Sequence, residues 1–195
     1  YSAVGTIVRG LLDHPGASGT PPEWLAELAL STPAVGKRYP KLPPARESAG
    51  ESARLRLTEA VHELVSAVAE EHPVILVVDD VHLADDASVA VLHLLMRRTQ
   101  EQRIMVIMTA RQAELGNSPH ASRLMENRES LALEAVDLPP LTEEEMNEVV
   151  TALAVTAGSD MPPAVRRALL RASAGVPMIV ELLFDDWRAH GQESL

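Results

Sequence analysis

The 195-residue sequence contains no cysteine, which excludes disulfides, zinc fingers and thiol nucleophiles. Aromatic residues are almost as scarce, at two Trp, two Tyr and one Phe. No stacking platform for single-stranded nucleic acid is therefore present, and the core must be built from Leu, Val, Ile and Ala. Positive charge is also in short supply: 17 Lys and Arg against 28 Asp and Glu give a net charge of −11. That sign argues against this segment gripping a nucleic-acid backbone, where nonspecific affinity comes from cations neutralising phosphates. Lys37 and Lys41 are the only lysines, a skew that points to coding bias rather than function. No apolar run reaches ~18 residues, so neither a transmembrane helix nor a membrane partner is expected. Tyr1 to Leu12 lacks the basic leader, apolar stretch and cleavage site of a signal peptide, and a soluble cytoplasmic protein is the expectation.

What is present is 46% apolar and 23% charged, the composition of a globular chain. Val4 to Leu12 and Pro22 to Leu30 read as short helices, and Ser31 to Glu51 as a Pro-, Gly- and Ser-rich connection. Ala53 to Glu71 carries Leu57, Val61, Leu64, Val65 and Val68 at helical spacing. Two five-residue apolar runs follow, Val74 to Val78 and Ile104 to Met108, separated by a helix over Ala87 to Thr99. Strand, helix, strand at this spacing is a crossover between parallel strands. Each run is apolar throughout, so both faces of the sheet are expected to be covered. A weaker strand is expected at Ser130 to Val136. From Leu141 the pattern is helical only: a capping box at Thr142 to Glu145 opening a helix to about Ala157, then Pro162 to Ala174 and Pro177 to His190. The predicted fold is α/β, a parallel sheet flanked by helices with a C-terminal helical lid. The expected regions are 1–52 (helix and loop), 53–140 (core) and 141–195 (lid).

Ligands of parallel α/β sheets gather at the carboxyl ends of the strands, where Asp79, Asp80 and Arg111 fall. Two carboxylates at the tip of an apolar strand are costly unless compensated, and a divalent cation is the usual compensator. Mg²⁺ is typically held by one or two carboxylates plus substrate phosphates, and a guanidinium suits a phosphate. The alternative on pattern alone is a turn or helix-cap pair with a surface arginine.

The segment Ile75-Leu76-Val77-Val78-Asp79-Asp80-Val81-His82-Leu83-Ala84-Asp85-Asp86-Ala87-Ser88 resembles the Walker B strand and following turn of signal-transduction ATPases with numerous domains. In particular it is similar to the AAA-type modules of large LuxR-type bacterial transcriptional regulators. Met108 to Arg111, Leu138 to Glu145 and Ala174 to Leu183 follow in that family's order, so the resemblance spans roughly Glu51 to Trp187. It implies a P-loop ATPase core using ATP and Mg²⁺. Asp79 would orient the metal, largely through water, and Asp80 would position or activate the attacking water. Arg111 would sense the γ-phosphate, and Pro177 would lie against the adenine from the lid. His82 falls where the family also carries a His; its plain reading is a packed, turn-stabilising residue.

One part of the pattern is missing. A phosphate-binding loop needs Gly-x-x-x-x-Gly-Lys-Ser/Thr, whereas the single Gly-Lys, Gly36-Lys37, is followed by Arg38 and preceded five residues earlier by Ser31. In the family that loop precedes the residues matching Tyr1 onward, so a fragment is expected, weak or inactive in ATP binding, with an uncovered sheet edge or apolar surface and possible self-association. Three other readings compete. A receiver domain needs an Asp at the end of the later strand and a Lys beyond it, and neither occurs. A metal-dependent phosphohydrolase lacks further His and carboxylate ligands. A non-catalytic ATPase relic serving as a protein-interaction module remains open.

Overall fold

The computed structural model describes residues 2–99 and 101–191; Tyr1 and the last four residues of the expected lid region lie outside them. The chain divides into two compact units, Tyr1–Glu134 and Ala135–Leu195.

In the first unit, α1 (Ser2–Leu11), α2 (Pro22–Ser31) and α3 (Pro33–Arg38) precede a 22-residue helix, α4 (Gly50–Glu71). β1 (Val74–Val78), α5 (Asp86–Arg98) and β2 (Ile104–Met108) form the expected crossover, with two short helices after it, α6 (Gln112–Leu115) and α7 (Pro119–Glu126). β1 and β2 pair in parallel, with Val74 opposite Ile104 and Val78 opposite Met108. Leu57, Val61, Leu64, Val65 and Val68 of α4 all turn inward, as their spacing requires, and join Val4, Val8, Leu28, Leu76 and Leu95 in one core. Residues before position 52 thus help to build the same core as α4 and β1. At Gly16, in the 3-10 turn Pro15–Gly19, an added Cβ would lie 2.6 Å from the Ala67 carbonyl, so that turn can touch α4 only because it carries no side chain there.

The Pro-rich connection is pinned by charge. Glu27 is buried on α2 and accepts the Arg46 amide at 2.9 Å and the Arg56 guanidinium, while Arg56 also lies 5.6 Å over the Trp24 ring. Burial alone would raise the Glu27 carboxyl, but the bonds from Arg56 and Arg46 outweigh it and hold it below the ordinary carboxylate range.

Two expectations fail here. Only one face of the sheet is covered: Val74, Leu76 and Val78 are buried, whereas Ile75 and Val77 are 62% and 63% exposed and Met105 is 57% exposed. The helices of this unit pack against one side, and apolar side chains on the other face remain in solvent. The strand expected at Ser130–Val136 does not form. The Leu131 and Leu133 amides donate to the Asn127 and Arg128 carbonyls, and Ala132 is left-handed (φ 52°), so the chain curls back onto α7 with Leu131 buried in the core beside α5. α6 and α7 were not foreseen, although Ser118 caps α7 and Pro119 opens it.

The second unit is the expected run of helices, α8 (Glu143–Thr156), α9 (Pro163–Ser173) and α10 (Pro177–His190). The capping box is formed: Thr142 N–H donates to Glu145 Oε2 at 2.8 Å, and Glu145 N–H donates to Thr142 Oγ1 at 3.3 Å. Met146, Val150, Leu169, Val180 and Phe184 make the core. The Gly175 (φ 79°) carbonyl accepts the Leu141 N–H at 2.8 Å, and a Cβ at Gly175 would lie 2.5 Å from the Leu141 carbonyl.

Two predictions follow from these contacts. Glu27→Gln should cost about 2 kcal/mol of stability in urea denaturation near neutral pH. Because the folded-state carboxyl is depressed, its contribution is full above the unfolded value of about 4.3 and lost as pH falls through the folded value, so the gap between the two proteins should narrow below pH ~4.3. Gly175→Ala combines a left-handed backbone with a clash, and should destabilise the second unit by about 2 kcal/mol or more, read as an earlier loss of signal from Trp187.

Candidate functional site

The carboxyl ends of the two strands carry the site. Parallel register sets Val78 opposite Met108, so the next residues, Asp79 and Thr109, meet at the tip. The ladder runs one step further: Thr109 N–H donates to Val78 O at 3.1 Å, and Val81 N–H donates to Thr109 O at 2.8 Å. Thr109 Oγ1 then bridges both acidic residues. It accepts the Asp80 backbone N–H at 2.8 Å and donates to Asp79 Oδ1.

Asp80 is left-handed (φ 50°, ψ 51°), a region Asp tolerates better than most side chains. That one residue turns the chain from β1 into a 3-10 turn, Val81–Leu83, and buries Val81 and His82. Asp79 stays exposed. Asp85, four residues beyond the turn's start, caps α5 by accepting Ser88 N–H at 2.9 Å, so it has a structural task distinct from the pair at the tip.

Arg111 follows β2 by three residues. Its side chain is 69% exposed and lies 3.2 Å from Glu114 Oε1, and its backbone N–H donates to His82 Nδ1 at 3.2 Å. Asp79, Asp80 and Arg111, expected together on strand ends, are therefore brought to one place, joined by Thr109, His82 and Glu114. Pro177 belongs to the second unit, where it opens α10 and is exposed. Thr109 was not singled out from the sequence. The signal was there: a hydroxyl one step past a strand whose parallel neighbour ends in an acidic pair.

The chemistry available is that of a single carboxylate backed by a hydroxyl at a hydrogen-bonded strand tip. Among the described residues no group of three or more His, Cys, Asp or Glu could hold a metal. Such a site does not suit zinc, but it fits Mg²⁺, which keeps several waters and takes one or two carboxylates together with substrate phosphates. A phosphate cradle of the glycine-rich kind is not encoded in these 195 residues. Asp79 and Arg111 are exposed; a cavity of about 460 Å³ in the first unit is lined by residues between Ser18 and Leu42, and one of about 430 Å³ in the second unit by residues between Thr151 and Arg166.

The sequence matches the family described as AAA ATPase domain over residues 2–107, more than half of the chain, and the chain belongs to that family. The match runs from α1 to Ile107 of β2 and so takes in Asp79 and Asp80, while Thr109 and Arg111 lie just beyond it. It supports a nucleotide-dependent ATPase-type module, with nucleotide and Mg²⁺ as the expected ligands of the class. No curated protein and no solved structure matches the chain. No helix among the described residues is long and apolar enough to cross a membrane.

Thr109→Val should cost about 1–2 kcal/mol in urea denaturation, because it removes the acceptor of the Asp80 amide and the donor to Asp79 together. Thr109→Ser should keep most of that stability. Equal stability of Val and wild type would show that the bridge contributes nothing.

Proposed function

We propose that this chain is part of a signal-transducing ATPase domain, a nucleotide-dependent switch of the kind found in large LuxR-type transcriptional regulators. Asp79 takes the Walker B role, orienting Mg²⁺ through its water shell, and Asp80 positions the attacking water. Arg111 responds to the γ-phosphate, and Pro177 lies against the adenine. The observation that carries the reading is the bridged acidic tip: Asp79 and Asp80, which lie inside the segment that matches the family, are fixed by Thr109, two residues beyond its end, at the carboxyl ends of two parallel strands.

Each role rests on what the side chains can do. The Thr109 hydroxyl leaves Asp79 anchored through one oxygen, which fixes the carboxylate before any ligand arrives and lowers the reorganisation needed on binding. Asp80 holds an unfavourable backbone conformation at the tip, the sort of strain that clusters at ligand sites. The exposed Arg111–Glu114 pair is worth only about 0–1 kcal/mol, so an incoming phosphate can take the guanidinium from Glu114 at little cost. Mg²⁺, when bound, supplies charge neutralisation and polarisation of the transferring phosphoryl group.

A second reading, a non-catalytic relic of such a domain that serves as a protein-interaction module, is favoured by one observation: no Gly-x-x-x-x-Gly-Lys-Ser/Thr occurs in the 195 residues. Most phosphate-binding free energy in this class comes from loop amides and that lysine. Calorimetry on the 195-residue chain should therefore find no ATP binding in the micromolar range, and micromolar affinity would contradict the assignment of missing parts. In a longer chain that carries the loop ahead of residue 2, Asp79→Ala should lower Mg²⁺-dependent ATP turnover by about 100-fold or more. Unchanged turnover would remove Asp79 from the mechanism.

A further inference from the structure

We infer that His82 is a positioning residue that clamps the backbone of Arg111 to the turn carrying Asp80, through a hydrogen bond accepted at Nδ1. The side chain is 1% exposed, and Nδ1 accepts the Arg111 N–H at 3.2 Å. A ring nitrogen that accepts carries no proton, so in the neutral imidazole the proton is on Nε2. Nε2 makes no hydrogen bond and faces Glu114 Oε2 at 3.4 Å. The proton-bearing edge of the ring is thus set against a carboxylate. The other tautomer would oppose N–H to N–H at Nδ1 and a lone pair to the carboxylate at Nε2, so both neighbours select the same form. Asp80 Oδ1, at 3.8 Å from Nδ1, is beyond hydrogen-bond range.

Packing alone accounts for a buried residue here but not for its acceptor. The backbone ladder between the strands ends with Val81 N–H on Thr109 O. Beyond it, His82 continues the cross-link with its side chain. Three bonds then join the two tips in succession: Asp80 N–H to Thr109 Oγ1, Val81 N–H to Thr109 O, and Arg111 N–H to His82 Nδ1. The Arg111 backbone cannot shift without stretching a bond to the turn that bears Asp80. Resting on the reading of Arg111 as the residue that responds to phosphate, His82 is the link through which its displacement reaches Asp80.

The test is amide hydrogen exchange at Arg111, followed by NMR on the nucleotide-free 195-residue chain, with the Thr109 amide as internal reference. His82→Leu keeps side-chain bulk without an acceptor, and His82→Asn offers a carboxamide oxygen in place of Nδ1. Leu should speed Arg111 exchange about 10-fold or more relative to Thr109, and Asn should restore protection. In the wild type, ¹⁵N spectra at neutral pH should show Nδ1 without a proton. Unchanged Arg111 protection in His82→Leu, or a protonated Nδ1, overturns the clamp. If the Leu variant does not fold, the Nδ1 protonation state and the Asn variant decide. No nucleotide enters this experiment, so its failure leaves the phosphate-sensing reading of Arg111 standing, and failure of the Asp79 experiment leaves the clamp standing.

Discussion

The parallel pairing of β1 with β2 and its extension through Thr109 is the constraint on which the site depends. Five paired residues on each strand fix which side chains meet at the tip. A slip of one residue would turn the strands' buried and exposed sets over and part Thr109 from Asp79. The pairing is itself held by the core beneath it, where Val74 and Leu76 of β1 pack with residues of α4 and α5. The hydrophobic contacts therefore set the register, and the register sets the polar geometry.

Above the register, the tip is built from one unfavourable backbone conformation and several compensating bonds. Asp80 in the left-handed region has its amide accepted by Thr109 and its carbonyl bonded by the Leu83 amide at 2.8 Å. The turn this creates buries Val81 and His82 while Asp79 stays in solvent. A carboxylate that is exposed yet anchored can recruit a hydrated cation without first being desolvated, which distinguishes this arrangement from a buried structural ion pair.

Much of the fold was legible because the strongest signals were continuous. The two five-residue apolar runs, the spacing of Leu57, Val61, Leu64 and Val68, and the Thr142–Glu145 capping box each specify an element locally, and each forms where expected. Ser130 to Val136 misled because Leu131 and Leu133 alternate like a strand, yet no partner edge receives them and the left-handed Ala132 folds the chain back instead. Covered faces were expected for Ile75, Val77 and Met105 because an apolar run says what a strand can bury, not what is there to bury it. At the site, Asp79, Asp80 and Arg111 were readable as strand-end residues. The bridging role of Thr109 and the tautomer of His82 were not, since both depend on register and on a turn geometry that residue types alone do not specify.

On the proposed reading, the Thr109-bridged acidic tip faces the metal and phosphates of a bound nucleotide. The most direct measurement is paramagnetic broadening by Mn²⁺·ATP in a chain that carries the glycine-rich loop ahead of residue 2. The account predicts that the amide signals of Asp79, Asp80 and Thr109 disappear first and that Ca²⁺·ATP leaves them sharp. Broadening centred elsewhere, with these three signals intact, would contradict it.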